Sequence, residues 1–163
     1  MKTHISSGDK VEAAMIMREA AQWLMDSDRP MWDIDDFTPD NLANSPDEFY
    51  VLWGENESIA AMTLTFEDKV FWPQIPPNSS GFIHKLSVRR KYAGNGYAEM
   101  MIEHAKKVCL AKRINYLRLD CQSHREGLLK LYNSCGFTLV EMKQVNIEKL
   151  GLIDSAMFEM KLD

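Results

Sequence analysis

The residues best suited to chemistry are three small ones that follow a basic segment. In "RRKYAGNGYA", residues 89–98, Gly94, Gly96 and Ala98 alternate with larger residues. Glycine has no Cβ, so the backbone can adopt a positive φ there and a ligand can approach it closely. The first N–H groups of a following helix have no internal partners, and a phosphate satisfies them. The stretch therefore predicts a phosphate or pyrophosphate site.

Other glycine motifs fit this stretch poorly. A plain tight turn into a helix stays open as an interpretation, because short glycine patterns are weak evidence by themselves. The Rossmann fingerprint needs G-x-G-x-x-G directly after a strand, whereas residues 89–93 intervene here and position 99 is Glu. A Walker A motif would need Gly-Lys-Ser or Gly-Lys-Thr, which the stretch lacks.

The elements around this stretch are a strand before it and an amphipathic helix after it. Residues 81–88, "GFIHKLSV", have strand character, and regular alternation would place His84, Leu86 and Val88 on one face. From Ala98 onward, apolar residues recur at helical spacing. Downstream, the sequence predicts a strand, a helix ended by glycine, and two more strands: "NYLRLDC", "REGLLKLYNSCGF", "FTLVEM" and "SAMFEMKL".

The N-terminal half contains two predicted helices and a hairpin. Asp9 and Glu12 form a capping box for a helix in "DKVEAAMIMREAAQWLM". Thr38 followed by Pro39 is typical of the start of a second, short helix. Two β-rich runs flank "GENES" as a hairpin, and three prolines make "EDKVFWPQIPPNSS" a loop. The order of elements predicts one α/β domain over residues 1–163 with a mixed sheet.

The composition argues against several classes of protein. The chain has 163 residues and a formal net charge of −5, which disfavours nucleic acid as a partner. It lacks the apolar run of about 18 residues that a membrane span would need, and its N-terminus does not resemble a signal peptide. Its three cysteines fit neither a disulfide framework nor a metal knuckle. We expect a cytoplasmic protein with no metal, no membrane partner and no nucleic-acid partner.

Taken together, the motifs between residues 82 and 140 resemble the GNAT superfamily, the acyl-CoA-dependent N-acyltransferases. "HKLSV" is similar to the central strand of that family, and "AGNGYA" is similar to its pyrophosphate loop. "LRLDC" resembles the next strand, and "REGLLKLYNSCGF" resembles the second cofactor motif, in which a tyrosine precedes Gly-Phe. The resemblance implies an α/β fold with a mixed, splayed sheet of about 6–7 strands and about four flanking helices.

Acetyl-CoA is the cofactor that the resemblance implies. The backbone of Leu86 and Val88, with Ser87 between them, would run along the pantetheine arm and polarise the thioester carbonyl. Family members splay the sheet beside this strand, often with a bulge that leaves main-chain groups available. The pyrophosphate would receive N–H groups from Gly94, Asn95, Gly96, Tyr97 and Ala98.

Two positions depart from the family pattern. Ala93 stands where the loop usually has Arg or Gln, so Arg90 or Lys91 is expected to replace that contact with the cofactor. In the second motif, Arg125 stands at a position that Asn often holds. An arginine there is expected to reach a phosphate or a pantetheine carbonyl.

Tyr132 and His84 are the candidate catalytic residues. Tyr132 occupies the family's tyrosine position, where a phenol can donate a proton to the leaving thiolate, and a packed aromatic is the alternative. His84 lies where many family members have a carboxylate, and imidazole titrates in the right range for a general base. A role in the acceptor pocket and a structural role stay open for His84. A nucleophilic pair of Cys121 and His124 is disfavoured, because transfer in this family is direct.

The segment "WLMDSDRPMWDIDDF" is the candidate wall of the acceptor site, because the first helices and their loop vary with substrate in this family. Its aromatic and acidic side chains, together with a tryptophan of the proline-rich loop, would suit a cationic amine. A solvated acidic loop is the alternative. The candidate residues are Trp32, Asp33, Asp35, Asp36, Phe37 and Trp72.

The prediction is therefore an N-acetyltransferase that moves an acetyl group directly from acetyl-CoA to a primary amine of a small molecule or peptide. The chain would act as a monomer or homodimer. A catalytically weak CoA-binding sensor or scaffold of the same fold is the alternative, in which Ala93 would mark decay of the loop. The retained Gly94, Gly96 and Tyr132 favour the enzyme.

Overall fold

Seven strands and four α-helices form along the described part of the chain. The computed structural model describes residues 1–27, 32, 34–43, 45–148 and 150–163. The first elements are β1 (His4–Ser7), α1 (Lys10–Asp26), α2 (Pro39–Ala43), β2 (Glu48–Trp53) and β3 (Ser58–Thr65). The later elements are β4 (Gly81–Val88), α3 (Tyr97–Ala111), β5 (Tyr116–Gln122), α4 (Glu126–Ser134), β6 (Thr138–Ile147) and β7 (Gly151–Lys161).

Helix α1 begins where the sequence predicts it. The Asp9 side chain accepts a hydrogen bond from Glu12 N at 3.4 Å, which satisfies one of the free donors of the first turn. The Glu12 carboxylate accepts from Ser58 Oγ, which connects the first turn of α1 to β3. The apolar stripe of α1 is buried in a core cluster that also contains Phe37, Phe49 and Val51.

The strands form a mixed seven-stranded sheet with the order β1-β2-β3-β4-β5-β7-β6. This sheet and the four α-helices of the described residues confirm the predicted fold class. Strand β1 was not predicted, because its sequence HISS has no apolar alternation. It forms through pairing with β2, in which His4 lies opposite Trp53, and Trp53 Nε1 donates to Ser6 Oγ at 2.8 Å.

Residue contacts divide the chain into two compact units, each with its own core. The first comprises residues 1–64 and 85–101, and the second comprises residues 65–84 and 102–163. In the second unit, β5 pairs antiparallel with β7 from Tyr116↔Lys161 to Gln122↔Ser155. The parallel register between β4 and β5 consists of Gly81↔Leu117 and Phe82↔Arg118.

Strand β4 is not regular, so the condition under which His84, Leu86 and Val88 would share one face is not met. Lys85 has a φ of 55°, a left-handed conformation in the middle of the strand. A lysine there is strained, and one such residue interrupts the alternation of side chains as a β-bulge does. Ser87 Oγ donates to Lys85 O at 3.0 Å and braces the irregular turn of the backbone.

Among the described residues, no helix combines the length and apolar character that crossing a membrane requires. The longest of the helices, α1, has 17 residues, and Glu12, Arg18, Glu19 and Asp26 lie within it. These charged residues belong to the polar side of an amphipathic helix that packs on a core.

Replacement of the α1 cap tests the reason for the helix start. Asp9→Ala should destabilise the protein by about 1 kcal/mol, because the donor on Glu12 N loses its acceptor. That loss would lower the thermal midpoint by about 2–4 °C. Asp26→Ala is the matched control, since the same change near the C-terminus removes an acidic group from the negative end of the helix dipole. An equal fall in both variants would contradict the capping role.

Candidate active site

The glycine loop of the first unit, residues 93–96, adopts the conformation that its sequence predicts. A single 3₁₀ turn, Arg90–Tyr92, follows β4, and α3 then begins at Tyr97. Gly94 has a φ of 79° and Gly96 a φ of 82°, both in the left-handed region that favours glycine. Asn95 Nδ2 donates to Tyr92 O at 3.0 Å and to Ala93 O at 3.3 Å. The Asn95 side chain thus stabilises the turn of the loop. The loop therefore leads directly to the N–H groups of the first turn of α3.

The basic residues before the loop interact mainly with protein groups. Arg90 stacks on the Trp23 indole, with its guanidinium carbon 4.0 Å from the ring centroid. Lys91 Nζ forms a salt bridge with the Glu57 carboxylate. The hydrogen bond between these two groups lowers the pKa of the Glu57 carboxyl. A pocket of about 310 Å³ beside them is lined by Glu19, Ala20, Val88, Arg89, Arg90 and Lys91.

In the second unit, the structure brings His84 together with two aspartates that the sequence analysis did not select. We call Asp68, His84 and Asp120 the acid–histidine cluster. Their nearest ligand-type atoms all lie within 4.8 Å of one another. His84 Nε2 lies 3.1 Å from Asp68 Oδ2, and the Asp68 side chain is only 6% exposed. His84 thus lies in a charged environment, and not in an apolar pocket.

The two aspartates of this cluster have opposite electrostatic properties. Burial raises the pKa of Asp68, but hydrogen bonding to His84 and to two backbone N–H groups outweighs it, so the net pKa is lowered. Burial raises the pKa of Asp120 to about 6. Asp120 Oδ1 is buried, and within the described ranges it has no hydrogen-bond partner. The cluster therefore pairs a fixed carboxylate with one that titrates close to neutral pH.

Tyr132 and Cys121 are both buried in the second unit. The Tyr132 ring packs edge-on against Phe137 and Phe158, with centroids 6.0 and 5.7 Å away. Burial raises the pKa of the Tyr132 phenol, so this group keeps its proton at neutral pH. Burial also raises the pKa of the Cys121 thiol to about 12, so it is not a thiolate nucleophile. His124 is exposed.

The residues predicted to contact the acceptor lie in several environments. Phe37 is fully buried in the core of the first unit, and Trp32 packs edge-on against it with ring centroids 5.8 Å apart. Trp72 is 4% exposed and packs in the core of the second unit, so the structure favours a packing role for it. Asp36 is half-buried in the 3₁₀ helix Ile34–Phe37. Asp33 lies outside the described residues.

Arg125 stands where the second cofactor motif of the family often has Asn. In the structure it is the N-cap residue of α4. Its Nε donates to Gln122 Oε1 at 2.6 Å. Its guanidinium is therefore held at the end of β5, where the chain turns into α4.

Neither of the missed aspartates carries a sequence signal that would have marked it as part of a site. Val70 N and Phe71 N donate to Asp68 Oδ1 at 3.0 and 2.9 Å. These bonds form an Asx-type turn, which is typical of aspartates in loops. Asp120 lies on the half-buried face of β5, in regular alternation with Leu119 and Cys121 on the buried face. Neither pattern predicts the proximity to His84, because that contact joins three separate elements.

Comparison with known proteins identifies the family. A model described as "Acetyltransferase (GNAT) family" matches residues 17–137, most of the chain. The chain therefore belongs to the GNAT family of acetyltransferases, whose members use acetyl-CoA as acetyl donor.

One relative and two solved structures share between 15% and 36% of their aligned residues with this chain. A streptothricin acetyltransferase from Escherichia coli is 36% identical over 94 residues, which are 55% of this chain and 54% of the relative, so the match spans about half of either protein. A GNAT-family acetyltransferase from Listeria monocytogenes has a TM-score of 0.72 at 18% identity, covering 98% of this chain and 95% of that one. One from Elizabethkingia anophelis, solved with acetyl-CoA bound, has a TM-score of 0.64 at 15% identity and 98% coverage of both chains. These structures are similar to this chain in fold.

A pair of glycine variants tests whether the loop binds the cofactor. Gly94 and Gly151 have φ values of 79° and 76°, and an added Cβ would meet nothing within 4 Å at either. Gly94→Ala and Gly151→Ala should therefore each cost about 1–2 kcal/mol of stability from backbone strain alone. Only Gly94→Ala should weaken acetyl-CoA binding, by about tenfold or more, which corresponds to about 1.4 kcal/mol. Equal affinities in a calorimetric titration would contradict a cofactor role for the loop.

Proposed function

We propose that this chain transfers an acetyl group from acetyl-CoA to a primary amine of a small molecule or peptide. The observation that carries the proposal is the glycine loop, whose two left-handed glycines open directly into the first turn of α3. In a member of the GNAT family, this loop is the expected site for the pyrophosphate of the cofactor. The similarity to a streptothricin acetyltransferase supports a small-molecule amine as acceptor.

The residues of the first unit fit the cofactor. The helix start offers N–H groups, and its dipole favours a negative charge there. Gly94 and Gly96 leave room for it, since an added Cβ meets nothing within 4 Å at Gly94 and only Glu99 Oε2, at 3.9 Å, at Gly96. Acetyl-CoA supplies an acetyl group already activated as a thioester. The backbone of Leu86 and Val88 is the proposed partner of its pantetheine arm.

His84 is the proposed general base. A protonated amine cannot attack a carbonyl carbon, so the protein must accept a proton before or during attack. An imidazole paired with a carboxylate is a suitable acceptor, and His84 has this pairing with Asp68. The proton passes from the amine nitrogen to an imidazole nitrogen, and the amine gains the lone pair that it needs.

Tyr132 is the proposed general acid. Because burial keeps its phenol protonated at neutral pH, it is available to donate a hydrogen bond to the leaving sulfur as negative charge develops there. Its ring is fixed between Phe137 and Phe158, which limits the positions of the hydroxyl. A fixed donor loses little entropy when the reaction occurs.

The acceptor is proposed to be a cationic amine. Asp35 and Asp36 lie in the 3₁₀ helix Ile34–Phe37, and the half-buried Trp32 indole packs edge-on against Phe37 of the same helix. An aromatic face beside carboxylates attracts ammonium groups more strongly than neutral amines. The chain would work as a monomer or homodimer in the cytoplasm.

The first test separates the enzyme from a cofactor-binding module. Acetyl-CoA and CoA at about 100 times their dissociation constants should each stabilise the protein by about 2.7 kcal/mol, whereas ATP and NAD should not. A panel of polyamines, amino acids, aminoglycosides and peptides should then reveal acceptors that release CoA thiol, with cationic amines favoured. Stabilisation without thiol release from any amine would favour a CoA sensor. The absence of stabilisation would overturn the proposal.

Removal of the tyrosine hydroxyl tests its role as the acid. Tyr132→Phe should lower kcat by about 10²-fold, because the leaving sulfur loses its proton donor. Acetyl-CoA affinity should change little, since the aromatic packing with Phe137 and Phe158 is kept. Tyr116→Phe is the matched control, because Tyr116 is a half-buried tyrosine of the same unit that contacts Arg118. An unchanged kcat in Tyr132→Phe would contradict the assignment.

A further inference from the structure

We propose that Asp68 is the positioning residue of the catalytic base: its buried carboxylate fixes the tautomer of His84, and Asp120 stabilises the imidazolium that forms during transfer. This inference rests on the proposed function, because it assumes that His84 accepts the proton of the acceptor amine. It assigns roles to two aspartates on different elements, the loop after β3 and strand β5.

Asp68 is built to hold one orientation. Its Oδ1 accepts from Val70 N at 3.0 Å and from Phe71 N at 2.9 Å. These two bonds fix the plane of the carboxylate and direct Oδ2 to His84 Nε2 at 3.1 Å. A loop aspartate that served only the turn would need the Oδ1 contacts alone. The second contact therefore gives this buried charge a partner outside its own turn.

The Asp68 contact decides which imidazole nitrogen can accept a proton. A carboxylate that approaches Nε2 favours the tautomer in which Nε2 carries the hydrogen. In the neutral ring, Nδ1 then has the lone pair. The proton of the amine moves to Nδ1, the amine N–H bond breaks, and the ring becomes an imidazolium. A carboxylate that orients a histidine in this way is a recurring feature of acid–base sites.

Asp120 completes the electrostatics of the cluster. Its Oδ1 is buried without a hydrogen-bond partner in the described ranges, so it presents an unmet acceptor. Burial raises its pKa, His84 and Lys143 lower it and the charge of Asp68 raises it, and together these effects give a pKa of about 6. Lys143 Nζ donates to Phe71 O at 2.6 Å, on the turn that holds Asp68. An imidazolium at His84 would reduce the repulsion between the two carboxylates.

The decisive variant is Asp68→Asn. The Asn side-chain oxygen can still accept from Val70 N and Phe71 N, so the turn should fold. Its Nδ2 would then face His84 Nε2 as a donor, which favours the wrong tautomer. We expect kcat to fall by about 10²-fold or more with little change in KM for acetyl-CoA. Asp154→Asn is the control, since Asp154 is an exposed aspartate that accepts from Gln144 Nε2.

A double-mutant cycle separates positioning from a structural role. If Asp68 acts through His84, then Asp68→Asn should cause little further loss of kcat in a His84→Ala background. Independent, multiplying losses would overturn the inference, and so would an unchanged kcat in Asp68→Asn. The wild-type protein is assayed alongside: its failure to release thiol would contradict the proposed function, whereas normal release with an unaffected Asp68→Asn would contradict the inference alone.

The pH profile tests the role of Asp120. Removal of a negative charge near His84 disfavours the imidazolium, so Asp120→Asn should shift the acidic limb of kcat/KM to lower pH. Asp68→Asn should shift the acidic limb of kcat/KM in the same direction, and it should also lower the maximal value of kcat/KM. An unmoved limb in Asp120→Asn would overturn the role of Asp120. Loss of wild-type activity on chelator treatment, restored by a divalent ion, would instead make the cluster a metal site and overturn the proposal.

Discussion

The guanidinium of Arg89 is the interaction on which the first unit depends. Its side chain is 13% exposed, and Glu12 and Glu57 approach it at 3.7 and 3.6 Å. Arg89 Nη2 donates to Ser58 Oγ at 3.0 Å, and Arg89 N donates to Ile59 O at 2.9 Å. One residue therefore connects α1, the hairpin and the end of β4. A buried charge is tolerated here because several acidic groups compensate it.

The position of the glycine loop follows from this network. Only the 3₁₀ turn Arg90–Tyr92 separates Arg89 from the glycine loop, so the contacts that fix the guanidinium also help to position the chain that enters α3. Arg90 stacks on Trp23 and Lys91 pairs with Glu57, so the residues that follow Arg89 are also held to the first unit. The basic segment thus has a structural function of its own. The anion binding proposed for the loop would then come mainly from backbone N–H groups and the helix dipole.

Charge is used differently in the second unit. There, a histidine and two aspartates lie together with little solvent, and the backbone of one loop fixes the first carboxylate. Burial, with a smaller contribution from the charge of Asp68, raises the pKa of Asp120 to about 6, so this carboxyl titrates near neutral pH. Titration in this range is useful for accepting and releasing a proton, and it has little value for stability. This contrast with the compensated charges around Arg89 supports a chemical role for the cluster.

The sequence predicted most elements because they depend on local patterns. The Asp9 cap, the Thr38–Pro39 helix start and the glycines at positive φ are determined by neighbouring residues, and the structure has all of them. The overall fold class and the family were also predictable, because the cofactor motifs lie within one continuous stretch. The roles proposed for Tyr132 and His84 rest on the position of each residue within those motifs.

Tertiary structure alone decided what depends on contacts between distant residues. Strand β1 exists because β2 pairs with it, and its own sequence has no strand pattern. The left-handed conformation of Lys85 interrupts the alternation of side chains along β4. Lysine does not favour that conformation, so its own residue type does not predict the interruption. Asp68, His84 and Asp120 are far apart in sequence, and only the folded chain brings them within 4.8 Å. Sequence periodicity describes the faces of single elements, whereas such a cluster depends on how separate elements pack.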